Sequence, residues 1–256
     1  MTAPVIEVRE LTNRFGTQVV HERLDLTINS GEVLGLVGGS GAGKSVLVRT
    51  ILGLREPSAG QVLWFGQDRA KMPDAERQRV ERRLGVMFQD GALFSSLTVL
   101  ENVLVPLKEY TRLREGFMIE LARLKLALVG LPPDAADKYP EHLSGGMRKR
   151  AGIARALALD PDVLFLDEPT SGLDPIGATG FDQLIRTLAS ALGLTVILVT
   201  HDLDSVFAVC DRVAVIADRH IVVADAPARV AHHPHPWIQE CFGGPRAARL
   251  PGFAPS

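Results

Sequence analysis

Residues 33–52 read Val33-Leu34-Gly35-Leu36-Val37-Gly38-Gly39-Ser40-Gly41-Ala42-Gly43-Lys44-Ser45-Val46-Leu47-Val48-Arg49-Thr50-Ile51-Leu52. The run 33–37 is short and almost continuously apolar, as in a strand buried on both faces. Residues 46–52 suit a helix. Between them, 38–45 fit the pattern G-x-x-x-x-G-K-[ST]. The spacing has a chemical reason. Phosphate oxygens must be met by several backbone N–H groups at once, and glycines let a loop curl so that these groups converge. The helix that follows turns its N-terminus to the anion. Lys44 then reaches the β- and γ-phosphates, and the Ser45 hydroxyl can ligate Mg2+. A glycine-rich turn with no ligand is the alternative, and the strand before and helix after weigh against it. By itself the pattern says only nucleoside triphosphate.

The downstream acids extend that reading. Residues 163–166 form an apolar, strand-like run that ends in Asp167 and Glu168. In open α/β sheets, ligands lie beyond the carboxyl ends of the strands. Asp167 suits a Mg2+ shell there, and Glu168 suits polarising a water at the γ-phosphate. Read alone, the pair is equally a solvated strand end. His201 closes another apolar run, 195–200. It is either a γ-phosphate contact that steadies the Glu168 water or a capping or core histidine. Gln89 follows the strand-like run 85–88. On residues alone it reads as a surface glutamine, with an amide contact to Mg2+ or water as the alternative.

The rest of the chain is organised around these segments. Its 256 residues suffice for one or two domains with a substantial core. The 28 basic and 30 acidic residues give a formal charge of −2, against a protein held to nucleic acid mainly by phosphate attraction. A hydrophobic share of 46% and a charged share of 23% describe an ordinary globular chain. Cys210 and Cys241 are too few for a disulfide framework and fit free thiols in a reducing cytosol. No run approaches the ~20 apolar residues of a membrane span, and the first residues do not read as a secretion signal. Alternation of apolar and polar residues predicts strands at 5–8 and 24–28. Helical spacing predicts helices over 74–83, 99–110, 115–129 and 177–192, and further strands are expected at 195–199, 213–217 and 221–224. Residues 90–142 read as a helical insertion into an α/β core. The Pro-, His-, Ala- and Gly-rich segment from Ala226 is expected to pack little.

Together with Leu143-Ser144-Gly145-Gly146-Met147, Leu166-Asp167-Glu168-Pro169-Thr170 and Ser171-Gly172-Leu173-Asp174, these segments make the chain resemble the nucleotide-binding subunit of ATP-binding-cassette (ABC) transporters over about 5–225. The resemblance implies an α/β fold of the P-loop NTPase type, with an antiparallel β subdomain and a helical signature subdomain. It implies a cassette over 1–225, the helical part inserted at about 90–160, and a tail over 226–256. Phe15 matches the aromatic that stacks on adenine, and Val20 packs near the sugar. Gly38, Gly39, Ser40, Gly41, Ala42, Gly43, Lys44, Ser45 and Val46 match the phosphate loop. Gln89 matches a glutamine that senses Mg2+ and the transmembrane partner, reversing the residue-only reading. Asp167 matches the magnesium carboxylate, Glu168 the general base, His201 the switch histidine and Asp174 the loop crossing a dimer interface. Leu143, Ser144, Gly145, Gly146 and Met147 match the signature that meets a second subunit's ATP. Ser144 brings a hydroxyl, and the two glycines bring N–H groups close to a phosphate at a helix N-terminus. Two positions depart from the common pattern: Met147 stands where glutamine is usual, and Val46 where threonine often follows the serine.

The segments 143–150 and 89–99, and the tail 237–246, resemble the ATPases of phospholipid-trafficking transporters, the maintenance-of-lipid-asymmetry systems of Gram-negative bacteria and their mammalian-cell-entry relatives. That implies ATP and Mg2+ as cofactors, and a homodimer on the cytoplasmic face of the inner membrane as a peripheral protein. It also implies an integral-membrane permease dimer, an Mce-domain lipid-binding subunit and a small accessory subunit, with no nucleic acid. Leu93, Phe94 and Leu97 would line a groove for a permease helix, with internal packing as the alternative. Competing functions are an importer ATPase for amino acids or another small solute, a soluble ABC protein of DNA repair or ribosome function, and a cassette that binds ATP without hydrolysing it. Lys44, Asp167, Glu168 and His201 together disfavour the last.

Overall fold

The computed structural model describes residues 3–242. They divide into two compact units: the first runs to Val80 and resumes at Thr195, and the second spans Glu81–Leu194. The first unit opens with β1 (Pro4–Phe15), β2 (Gln18–Asn29), β3 (Val33–Gly38), α1 (Lys44–Ile51), β4 (Ala59–Trp64), β5 (Gln67–Asp68) and α2 (Asp74–Glu81), which ends at the unit boundary. The second holds β6 (Leu84–Met87), α3 (Val99–Tyr110), α4 (Glu115–Leu128), α5 (Gly145–Ala156), β7 (Val163–Asp167) and α6 (Pro175–Leu192). The first then resumes with β8 (Thr195–Val199), α7 (Leu203–Val209), β9 (Arg212–Ala217), β10 (His220–Asp225), α8 (Pro227–Val230) and α9 (Pro236–Phe242).

An antiparallel sheet of order β2-β1-β4-β5 makes one layer of the first unit. Its inner face buries Ile6, Val8 and Leu11 from β1 with Leu24, Leu26 and Ile28 from β2. The expected strands 5–8 and 24–28 extend into 12-residue strands. They stay paired across irregularities at Glu10 (φ 48°) and Arg23 (φ 46°). Such bulges bend a strand and shift its side-chain phase without ending it. Trp64 is fully buried, and its indole N–H donates to the Ile51 carbonyl at 2.8 Å, which ties β4 to the end of α1. β3 pairs in parallel with β8 and β9, and β9 pairs antiparallel with β10. Every residue of β3 and β8 is buried, so neither sequence alternates.

In the second unit β6 pairs in parallel with β7, and α3, α4 and α5 pack on one another. Thr98 and Glu101 form a reciprocal capping box at the start of α3. The buried Lys125 is neutralised by Asp160. The expected helices and strands of this region are present, with the 115–129 helix ending at Leu128.

The expectation for the tail fails. α8 and α9 fold back, Val230, Ile238 and Phe242 are fully buried, and the Phe242 ring meets Phe207 edge-on at 6.0 Å. Three apolar anchors in short helices escape a composition reading dominated by Pro and His. Residues 243–246 lie outside the described residues. Among the described residues, neither Cys210 nor Cys241 is in a disulfide. Among the described residues, no helix is long and apolar enough to cross a membrane. If α9 is packed in this way, Phe242→Ala leaves a cavity and lowers unfolding free energy by about 3–5 kcal/mol. A urea titration unchanged by that substitution would contradict the packing.

Candidate nucleotide site

The first unit carries the phosphate loop. β3 ends at Gly38 and α1 begins at Lys44, so 39–43 make the turn. Gly41 and Gly43 have φ of 77° and 94°, open to glycine and strained for other residues. Gly43 also has no room for a side chain. A Cβ there would stand 2.4 Å from His21 Nε2 and 2.6 Å from Val20 Cγ1. One at Gly38 would stand 2.5 Å from the Ile216 carbonyl oxygen of β9. The loop therefore rests directly on β2 and β9. No side chain caps α1 and no acid lies in its first turn, so the N–H groups there face outward without a competing anion. Lys44 Nζ donates to the carbonyls of Gly38 (2.7 Å) and Gly39 (3.1 Å), which holds the ammonium over the loop.

Two supports of this loop were not expected from the sequence. His21 is fully buried beneath it. Asn13 Nδ2 lies 3.1 Å from His21 Nδ1 and donates to Thr50 Oγ1, also at 3.1 Å. Nδ1 is therefore the acceptor and Nε2 carries the proton. Nε2 faces the Ala42 and Gly43 backbone but closes no hydrogen bond with it. Burial pushes the His21 pKa down to about 4, so the ring is neutral at physiological pH. The second support is Trp237 of α9, whose Nε1 lies 3.2 Å from where a Gly39 Cβ would be. The alternation of Leu24, Leu26 and Ile28, carried backward, points His21 outward, and the irregularity at Arg23 reverses it. Trp237 lay in a segment read as unpacked.

The remaining expected residues of this unit are Phe15 at the end of β1, Val20 in β2 and His201 directly after β8. His201 is exposed in the turn before α7, where the Thr200 hydroxyl accepts from the Asp202 N–H at 3.0 Å and Asp202 caps the helix.

The second unit carries the acids and the signature. Asp167 ends β7, and Glu168 follows with φ 50°, so the chain turns sharply between the two carboxylates. Buried Lys149 donates to the Glu168 carbonyl at 3.2 Å, and the Ser171 N–H donates to the same oxygen. These bonds hold the unusual backbone at Glu168, and both acidic residues are half-buried. Ser144 is the N-cap of α5, and its Oγ accepts from the Met147 N–H at 3.2 Å. A hydroxyl accepting there still has its own proton to donate. Ser144 and Gly145 are exposed, whereas Leu143 is buried and anchors the turn from below. Exposed Asp174 caps α6 by accepting from the Gly177 N–H at 2.9 Å.

Gln89 is exposed at the start of a tight turn over 89–92. Arg155 donates to the Gly91 and Ala92 carbonyls at 2.9 and 2.8 Å. Asn102, fully buried, accepts from the Phe94 N–H and donates to the carbonyls of Phe94, Leu97 and Thr98. Beside this segment lies a groove of about 660 Å³ whose lining includes Arg82, Val86, Phe94, Pro106 and Tyr110. Of Leu93, Phe94 and Leu97, Phe94 is in the lining of this groove, and Leu93 and Leu97 are half-buried outside that lining.

The family model for "ABC transporter" matches residues 21–171. The chain belongs to the ABC transporter family. It is 40% identical to the intermembrane phospholipid transport system ATP-binding protein MlaF of Haemophilus influenzae over 82% of this chain and 80% of that protein. It is 45% identical to the methionine import ATP-binding protein MetN of Lacticaseibacillus paracasei over 78% of this chain, but spans only 57% of MetN. Among solved structures, the ATP-binding cassette MJ0796 bound to ADP and Pi superposes with a TM-score of 0.78 at 29% identity, covering 87% of this chain and 98% of that one. The fold is that of the ABC nucleotide-binding domain, and the protein is an ATP-hydrolysing ABC transporter subunit.

The buried histidine under the phosphate loop has a measurable signature. Its pKa is about 4 in the folded state and about 6.5 unfolded, so folding favours the neutral ring. That contribution is complete above pH 6.5 and is lost as pH falls towards 4. Between pH 7 and pH 5 unfolding free energy should drop by about 2 kcal/mol through His21. His21→Gln should flatten the profile in urea titrations, and equal slopes in the two proteins would rule the assignment out.

Proposed function

We propose that this subunit powers phospholipid trafficking through a separate membrane permease, at the cytoplasmic face of a bacterial inner membrane. The observation that carries the substrate class is the likeness to MlaF over most of both chains. The 89–99 segment and the Met147 signature support it. The likeness to MetN favours a second reading, the same engine on an amino-acid importer. The catalytic residues do not separate the two, because substrate is read by the permease. In this reading the cassette covers 1–225, its helical part about 90–160, and two copies close on ATP. An Mce-domain subunit and a small accessory subunit complete the assembly.

The residues take these roles. Backbone N–H groups of the 38–46 loop and the Lys44 ammonium hold the phosphates. Phe15 stacks on adenine, and Val20 lies by the sugar. Glu168 accepts a proton from water as it attacks the γ-phosphorus, and His201 stabilises the charge that develops. Ser144, Gly145, Gly146 and Met147 reach the nucleotide of the second copy, across an interface that includes Asp174. Ser45, Gln89 and Asp167 offer hydroxyl, amide and carboxylate oxygens, a donor set suited to Mg2+. When bound there, the ion would neutralise phosphate charge. The Met147 side chain lacks the hydrogen bonds of glutamine, but its backbone is fixed by Ser144 Oγ. The groove beside Phe94 receives the permease.

Replacing Glu168 by Gln removes the base and keeps the shape, so turnover should fall by about 10²- to 10⁴-fold with ATP still bound. A variant hydrolysing at the parental rate would overturn the assignment of Glu168. The same variant, tagged and recovered from its native membrane with ATP, tests the substrate class. Co-purifying permease, lipid-binding subunit and enriched phospholipid are expected. A permease with a solute-binding protein and no enriched lipid would move the assignment to the importer.

A further inference from the structure

Arg55 lies in the turn between α1 and β4, and its guanidinium carbon stands 3.7 Å from the centroid of the Phe15 ring. That is van der Waals contact over the ring face, the geometry of a cation–π pair. The guanidinium is held where it is. Nη2 donates to the Arg14 carbonyl at 2.7 Å, one residue from the ring. The same turn is tied to β1 twice more: the Arg14 N–H donates to Ser58 Oγ at 3.1 Å, and the Ser58 N–H donates to the Thr12 carbonyl at 2.8 Å. Nε is buried with no partner, and Arg55 makes no ion pair among the described residues. A charged side chain with one hydrogen bond and no carboxylate is therefore committed to an aromatic face. Phe15 remains 46% exposed, so the guanidinium leaves part of the ring accessible.

We propose that Arg55 is a positioning residue for the nucleobase. It clamps Phe15 over one ring face and fixes the plane of the part that stays exposed. Its charge draws density from the ring, which favours stacking against an electron-rich purine. The inference rests on Phe15 as the base-stacking aromatic, and the experiment separates the two. A role in packing alone would weaken every ligand of the loop equally. A role through the base leaves phosphate binding untouched.

The measurement is calorimetric affinity of the full chain for ATP and for inorganic tripolyphosphate, which has no base. Arg55→Met keeps the apolar stem and removes the charged plane. It should weaken ATP by about 2- to 5-fold and leave tripolyphosphate unchanged. Arg55→Lys, which keeps the charge without the planar fork, should lie between Met and the parent, and carries the test if the Met variant does not fold. In a Phe15→Ala background, Arg55→Met should add no further loss. Equal losses for both ligands, or additive losses with Phe15→Ala, would overturn the role of Arg55. So would unchanged ATP affinity for Arg55→Met where Phe15→Ala does weaken ATP. Unchanged ATP affinity for Phe15→Ala would instead overturn base stacking by Phe15.

Discussion

The phosphate loop lies close against its own sheets, on backbone at Gly38 and on the His21 and Val20 side chains at Gly43, and much else in the first unit follows from that approach. A Cβ at Gly43 would collide with His21 and Val20, and one at Gly38 with the Ile216 carbonyl. Nothing larger than glycine permits the approach, and it determines where the first-turn N–H groups of α1 point. Because the loop is this close, what lies beneath must be polar enough to meet backbone and compact enough to fit. A neutral imidazole held by Asn13 meets both demands. A charged group there would have to be desolvated at a cost the single amide contact would not offset.

The sequence was most legible where one physical rule acts alone. The apolar run of β3 is unbroken because both its neighbours, β8 and β9, are parallel and buried. The loop pattern followed from phosphate chemistry, and the carboxylates followed from their place at a strand end. Legibility failed where two rules compete. At Arg23 a positive φ interrupts the alternation, so His21 lies inside although the period points it out. At the tail, Pro and His dominate the composition while Val230, Ile238 and Phe242 supply the packing. In the 89–99 segment the apolar residues Leu93, Phe94 and Leu97 suggested a groove lining, and the buried amide of Asn102 gave no signal in that pattern. Asn102 gathers three backbone carbonyls, folds the segment into turns, and Phe94 lies beside a groove.

The second unit shows how charged side chains serve as framework. Lys149 and Arg155 lie on α5 and spend their donors on carbonyls, one on Glu168 and the other on Gly91 and Ala92. Burial pushes the Arg155 pKa down, yet a guanidinium keeps its charge across the physiological range. Each bond sets a backbone turn next to a residue with a proposed role: Glu168 in one case, Gln89 in the other. α5 begins at the signature cap, Ser144. A rotation of α5 would therefore act on the signature, on the carbonyl that shapes the Glu168 turn, and on the turn that carries Gln89.

Within the proposed function, the cap at Ser144 keeps the signature backbone in place at the departure Met147. The contribution proposed for the signature rests on the Ser144 hydroxyl and on N–H groups at a helix start, and the cap fixes the Ser144 Oγ and the Met147 N–H whatever the side chain at 147. Gly152 points to the same economy. A Cβ there would stand 2.8 Å from the Gly91 Cα, so α5 and the turn at 89–92 touch backbone to backbone. Where two backbones meet without an intervening side chain there is little slack for a rotamer to absorb, and a displacement of one is transmitted to the other. The side chains that differ from the common ABC pattern lie outside that contact, and the groups inside it are glycine and main chain.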